Sequence, residues 1–171
     1  MLWRRRKEMD ITELLMLDFK VMREDGSDIF EVVFHGPKTS LYEGGVWRIR
    51  VELLPEYPLE PPRLFFVNSI FHPNIDFVSG LICSDCLYLD HLKTGWTPID
   101  DLAVTFQYYI QKLLFDPNLE CPRNPEAAEM LKHDEGHYKH IVREFCEIMF
   151  ANVEGMLSEK SSGHEESGSE D

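Results

Sequence analysis

A cysteine nine residues after an asparagine, on a segment without regular periodicity, carries the most chemical content in this sequence. Asn74 lies in Phe71-His72-Pro73-Asn74-Ile75-Asp76 and Cys83 in Gly80-Leu81-Ile82-Cys83-Ser84-Asp85. They put a thiol beside a side-chain amide able to donate to a developing oxyanion, which suits acyl transfer through a thioester. His72 is open to two readings, a general base or a ring that shapes the loop. Cys83-Ser84-Asp85-Cys86 is also a CxxC with His91 nearby, so zinc and a thiol redox pair are competing chemistries. A zinc site normally needs four ligands, and no second CxxC or His pair stands at suitable spacing, so no metal is expected. Cys86 then reads as loop core, and Cys146, beside Phe145, as packing.

The elements that must position these residues come from periodicity. Trp47, Ile49, Val51 and Leu53 alternate with mostly charged residues, the pattern of a half-buried strand over 46–53. Noisier segments at 19–23, 28–35 and 63–67 read as further strands, separated by turn-rich stretches, so four sequential strands form an antiparallel meander. About thirty residues after Asn68 lack a periodic element, which marks a functional loop region. Ile99, Leu102, Ala103, Phe106, Ile110, Leu113 and Leu114 then recur at helical spacing, with Asp100-Asp101 suited to the first turn. Asn124-Pro125-Glu126 is a cap, a first-turn Pro and an acid, so a second helix starts there. Tyr138, Ile141, Val142, Phe145, Met149 and Val153 mark a third, and Glu8 to Leu17 a helix at the front, behind the basic start Arg4, Arg5, Arg6 and Lys7. The fold class is α+β: an N-terminal helix, a four-stranded antiparallel meander, then C-terminal helices.

Charge and composition narrow the function classes. The 171 residues hold 31 acidic and 17 basic side chains, a net charge of −14, with 43% hydrophobic residues, enough for one core. Phosphate backbones would be repelled, so no nucleic-acid partner is expected. Apolar runs such as Leu64 to Val67 are far shorter than a membrane span needs, and Leu2-Trp3 meets arginines at once instead of a signal-peptide apolar region. Neither membrane association nor secretion is expected, and the four cysteines read as reduced thiols. Ser158 to Asp171 holds five Ser and five acids against one Lys and no apolar side chain. It reads as a disordered acidic tail beyond a core domain of residues 1–157, which itself carries −10. Ser162 and Ser167 each precede an acid by three residues, a pattern for an acidophilic kinase.

The motifs in order are Tyr57-Pro58-Leu59-Glu60-Pro61-Pro62, His72-Pro73-Asn74, Cys83, Trp96-Thr97-Pro98 and Asp116-Pro117-Asn118. That order resembles the ubiquitin-conjugating enzymes over nearly the whole folded chain. Tyr42 to Trp47, Ile70 to Asp76, the basic start and the acidic serine-rich tail look most like the class H type, which works with a multisubunit ligase. The resemblance implies that Cys83 receives ubiquitin as a thioester from an activating enzyme, and that Asn74 stabilises the transition state or the active-site loop. It implies that His72, Pro73, Asp85, Glu120 and Cys121 support that loop, with His72 bonding backbone. Arg4, Arg5, Arg6, Lys7, Leu59 and Pro98 would contact the activating enzyme or a ligase, RING-type or multisubunit. It implies no cofactor, protein substrates, a monomer, and a place in cytoplasm and nucleus.

Two departures stand out. The stretch from Cys83 to Trp96 is longer than in most relatives, and some neddylation-type enzymes also carry an extended segment ending in Thr-Gly-Trp, as Thr94-Gly95-Trp96 does here. Cys121 occupies the place where the family commonly has an Asp that orients and deprotonates the incoming lysine. A conjugating enzyme for another ubiquitin-like modifier and a non-catalytic ubiquitin-binding scaffold are therefore the alternatives, with a thiol oxidoreductase behind them.

Overall fold

In the computed structural model, which describes residues 2–89 and 95–162, helix α1 (Leu2–Met16) leads into β1 (Val21–Met22), β2 (Ile29–His35), β3 (Val46–Glu52) and β4 (Arg63–Phe66). The strands pair antiparallel in sequence order. The period-2 pattern decides which face is covered: Trp47, Ile49 and Val51 lie opposite Phe34, Val32 and Phe30 of β2, while Ile49 and Val51 also face Phe66 and Leu64 of β4. All eight are buried. The other face keeps its charges in reach of solvent, with Arg48 paired to Glu31 at 3.0 Å and Arg50 over the Phe65 ring at 4.3 Å.

Beyond the sheet come α2 (Ser84–Leu87), α3 (Leu102–Val104), a π-helical stretch (Thr105–Tyr109), α4 (Ile110–Phe115), α5 (Pro125–His133) and α6 (Glu135–Ser162). Leu102, Phe106, Ile110, Leu113 and Leu114 are buried as their helical spacing predicts. Ile99 is not part of that face and is 89% exposed. The helix starts later because Asp101 caps it, accepting from the Val104 amide at 2.7 Å, while Asp100 closes a turn onto the Thr97 amide at 2.8 Å. Asn124 caps α5 by accepting from the Ala127 amide at 3.1 Å, with Pro125 in the first turn. Helix α6 continues to Ser162, so residues 158–162 are helical where composition predicts a disordered tail. Glu159 and Lys160 are good helix formers, and neither Gly nor Pro stands between Met156 and Ser162. Residues 163–171, with Ser167, lie outside the described residues.

The inward face of α1 explains why its pattern is hard to read. Lys7, Asp10, Ile11 and Leu14, at helical spacing, are all buried, so half of that face is ionic. Lys7 bonds Asp28 at 2.6 Å, Arg6 bonds Asp10 at 2.8 Å, and the Tyr57 hydroxyl also donates to Asp10. Burial pushes the Asp10 carboxyl up, against the opposing pull of Tyr57 and Arg6.

Candidate active site

The nine-residue spacing between Asn74 and Cys83 is that of a small hairpin. The Asp76 amide bonds the Leu81 carbonyl at 3.0 Å, Ile75 bridges Ile82, and the Cys83 amide bonds the Asn74 carbonyl at 3.0 Å. Asp76 makes the turn, its Oδ1 accepting from the amides of Val78 at 3.1 Å and Ser79 at 2.6 Å. The hairpin is seated on the free edge of β4 by the Phe66 amide on the Gly80 carbonyl (2.9 Å) and the Ile82 amide on the Leu64 carbonyl (2.9 Å). Gly80 has φ of 75°, and a Cβ there would stand 2.0 Å from the Phe66 carbonyl oxygen, so only glycine allows this approach. Cys83 follows as the residue capping the one-turn helix α2.

His72 and Asn74 tie this hairpin to the rest of the fold. His72 is fully buried; its Nδ1 accepts from the Asn74 amide at 3.0 Å, so Nε2 carries the proton and donates to the Leu113 carbonyl at 2.9 Å. Burial lowers its pKa to about 4, against the raising pull of that carbonyl. A neutral ring with both nitrogens engaged shapes the loop and is in no position to take a proton. Tyr42 adds a second anchor, donating to the Phe71 carbonyl at 2.8 Å while sharing a 2.7 Å hydrogen bond with Tyr138 of α6. The Asn74 side chain is fully buried and faces the segment before α5: Nδ2 donates to the Asn118 carbonyl at 2.7 Å and Oδ1 accepts from the Asn118 amide at 2.8 Å. Its remaining N–H points to Cys86 Sγ at 3.6 Å. Pro73 completes the clamp, its carbonyl accepting from the amides of Arg123 at 2.8 Å and Asn124 at 2.9 Å.

Three thiols meet at this junction. Cys83 is only 4% exposed, and burial pushes its pKa up, yet the net direction is down. The neighbouring Cys86 amide and thiol and the Arg123 charge favour its thiolate form and outweigh desolvation. Cys86 takes the opposite shift, raised to about 12 by burial and by the neighbouring Cys83. Its thiol also reaches the Cys121 carbonyl at 3.8 Å. Of the two, Cys83 is thus the sulfur whose thiolate form is favoured and Cys86 the one kept as a thiol. Cys146 is buried far along α6 and is packing. Among the described residues, no group of three or more His, Cys, Asp or Glu side chains could hold a metal ion.

The structure divides the remaining sequence candidates. Asp85 is exposed in the turn of α2, where it attracts Arg123. Glu120 and Cys121 are exposed on the 116–124 loop, with the Glu120 amide held by Asn118 Oδ1 at 2.9 Å. The basic start splits in two: Arg4 and Arg5 are exposed, whereas Lys7 is buried and Arg6 also donates to the carbonyls of Pro98 at 3.0 Å and Asp100 at 2.6 Å. Arg5, Arg6, Pro58 and Pro98 line a shallow groove of about 350 Å³ with Trp3 and Met9, and Leu59 is 57% exposed close by in sequence. Trp96 reads as packing: it donates to the Pro58 carbonyl at 2.8 Å, with Tyr88 at 4.9 Å between ring centres. Of the extended segment, Tyr88 is buried and residues 90–94, with His91 and Thr94, lie outside the described residues. Sequence reasoning missed Arg123, because nothing in Cys121-Pro122-Arg123 tells that this loop returns to a thiol forty residues earlier.

Comparison with known proteins agrees with this geometry. The family described as ubiquitin-conjugating enzyme matches residues 4–146. Ubiquitin-conjugating enzyme E2-23 kDa of Triticum aestivum is 44% identical over 144 residues, covering 84% of this chain and 76% of the relative. Ubiquitin-conjugating enzyme E2 6 of Arabidopsis thaliana is 44% identical over 156 residues, covering 91% and 82%. Among solved structures, the E2 domain of a Toxoplasma gondii ubiquitin conjugating enzyme superposes with a TM-score of 0.72 at 26% identity, covering 85% of this chain and 98% of that one. Members of this family transfer ubiquitin, and their partners by class are ubiquitin, an activating enzyme and ligases. The extent of these matches, over a fold with the same order of elements, establishes that this chain belongs to the ubiquitin-conjugating enzyme family.

Proposed function

We propose that Cys83 is the residue that carries ubiquitin. The Cys83 sulfur attacks the thioester carbonyl of the charged activating enzyme, a new C–S bond forms, and the activating enzyme's thiolate leaves. A substrate lysine then attacks the same carbonyl carbon, the C–S bond breaks, and ubiquitin passes to the amine. The observation that carries this reading is the hairpin that sets Cys83 beside Asn74, with the Cys83 amide on the Asn74 carbonyl at 3.0 Å, in a chain of this family; the direction of the Cys83 pKa, below the ordinary thiol value despite burial, supports it. Asn74 acts by fixing the 116–124 loop beside that sulfur, and His72 and Pro73 by fixing Asn74. Arg4, Arg5, Leu59 and Pro98 form the face for the activating enzyme and ligases, consistent with their exposure beside an apolar groove. Arg6 and Lys7 support that face from within it. The class H assignment, with a multisubunit ligase, rests on the motif order and tail; the protein is read as a monomer of cytoplasm and nucleus.

The experiment is to incubate the protein with activating enzyme, ATP and ubiquitin, and in parallel with a neddylation-type modifier and its own activating enzyme. A reductant-sensitive adduct with ubiquitin is expected. Cys83→Ser should give an adduct that thiols do not remove, because an oxyester is not exchanged by thiols. Loss of the labile adduct in Cys86→Ser but not in Cys83→Ser would overturn the assignment, and preferential charging with the other modifier would reassign the substrate.

A further inference from the structure

Ubiquitin transfer uses one thiol of Cys83-Ser84-Asp85-Cys86 and leaves the second without chemistry of its own. The fold holds the two on one helical turn. Cys83 caps α2 and Cys86 is its third residue, with the Leu87 amide on the Cys83 carbonyl at 2.9 Å and the Tyr88 amide on the Ser84 carbonyl at 3.2 Å. Such a turn puts Cα atoms three residues apart at about 5 Å, inside the range of about 4.4–6.8 Å that a disulfide spans. Both cysteines are also held from outside the turn. The Cys83 amide bonds the Asn74 carbonyl at 3.0 Å, while Cys86 Sγ accepts from Asn74 Nδ2 at 3.6 Å and reaches the Cys121 carbonyl at 3.8 Å. Asn74 thus grips one cysteine with its backbone and the other with its side chain. Both are buried, and both are free thiols.

We propose that Cys83 and Cys86 form an oxidative modification site, closing to an intramolecular disulfide when the protein meets hydrogen peroxide, and that the closed form cannot accept ubiquitin. The second half rests on Cys83 carrying the thioester. The Cys83 thiolate attacks one peroxide oxygen, the O–O bond breaks, hydroxide leaves, and Cys83 becomes a sulfenic acid. The Cys86 sulfur then attacks the Cys83 sulfur; an S–S bond forms, the S–O bond breaks, and the hydroxyl leaves as water with the Cys86 proton. Peroxide gains the two electrons that the two sulfurs give up. The direction of each pKa supports this division of roles, since Cys83 is the sulfur favoured as a thiolate and Cys86 the one that keeps its proton. Peroxide is little larger than water, so the path that admits a thioester carbonyl to Cys83 admits it too. Cys121 is the competing thiol, but it is exposed and presents its carbonyl to Cys86, whereas the turn of α2 holds Cys86 three residues from Cys83.

The test treats wild type, Cys86→Ser and Cys121→Ser with hydrogen peroxide, and its first readout, mass, needs neither ubiquitin nor activating enzyme. Wild type and Cys121→Ser should each lose about 2 Da, and the peptide bearing Cys83 and Cys86 should carry that loss and resist iodoacetamide. Cys86→Ser should instead gain about 32 Da on Cys83, because a sulfenic acid that no thiol resolves goes on to the sulfinic acid. The second readout is charging with ubiquitin, each protein compared with its own untreated level. Dithiothreitol should restore charging in oxidised wild type by thiol exchange and should fail to restore it in Cys86→Ser. No mass loss in wild type, a disulfide that joins Cys121 instead, or a reductant-sensitive dimer in its place overturns the proposal. A Cys83–Cys86 disulfide in protein that still charges fully would refute Cys83 as the acceptor and leave the modification site standing.

Discussion

Replacing Asn74 by Ala removes two hydrogen bonds to the Asn118 backbone, at 2.7 and 2.8 Å, and separates two readings of this residue. Each bond is worth about 0.5–1.5 kcal/mol net, or about 1–3 kcal/mol together. Asn118 is half-buried, so water can reach the groups set free, which holds the loss near about 1–2 kcal/mol. The loss is local, because the Pro73 carbonyl still holds the amides of Arg123 and Asn124. Native-state hydrogen exchange of the Asn118 amide should therefore speed up by about 5–30-fold, with little change in the slowest core amides. Since Asn74 also donates to the Cys86 sulfur, and Cys86 is the neighbour that lowers the Cys83 pKa, the pH profile of Cys83 alkylation by iodoacetamide should shift in the same variant, and discharge to lysine should fall with it. If the amide instead stabilised the oxyanion directly, its loss would cost about 10²–10³ in rate with the loop undisturbed. A hundredfold fall in discharge with unchanged Asn118 exchange and an unchanged Cys83 profile would refute the positioning argument.

Two further outcomes follow from the same geometry. Cys121 lies close enough to Cys86 to interact with it electrostatically, and a carboxylate there can orient an incoming lysine and relay its proton where a thiol does so poorly; Cys121→Asp should accelerate lysine discharge by up to about 100-fold, and no gain in single-turnover rate would remove the argument. His72 is buried neutral with its pKa lowered to about 4 from the usual 6.5, so its contribution is complete above pH 6.5 and is lost as pH falls toward 4. Protonation favours the unfolded chain by up to about 3 kcal/mol over that window. Urea midpoints should fall from pH 7 to pH 4.5 in wild type, and His72→Leu should be less stable at pH 7 but flatter with pH; equal slopes would show that another group governs the acid transition.

Much of the fold was legible in the sequence because burial imposes a period. The alternation from Trp47 to Leu53 has one solution on a one-sided sheet, and the spacing of Leu102, Phe106, Ile110 and Leu114 fits only a helix with one covered face. Local chemistry was legible for the same kind of reason: Asn124 ahead of Pro125 is a cap whose partner is three residues away. Elements whose ends depend on distant partners were not. Ile99 fits the helical period, but the Asp100 turn and the Asp101 cap leave it outside the helix. Lys7 belongs to a basic run, yet Asp28 and the Leu53 carbonyl draw it inward.

The site divides along the same line. The sequence by itself determined that a thiol and an amide stand nine residues apart with a histidine before them, and order of motifs alone pointed to the family. Only the tertiary structure decided what that spacing is, a hairpin seated on β4 by Gly80, and what the amide does, which is to hold the backbone of Asn118. It also decided which thiol has the lowered pKa, since Cys83 and Cys86 are alike in sequence and differ in what surrounds them. Asn74 shows the reason most plainly. A side-chain hydrogen bond depends on a separation of about 3 Å, and forty-four residues of chain between Asn74 and Asn118 say nothing about that separation until the Pro73 carbonyl takes the amides of Arg123 and Asn124 and brings the loop back.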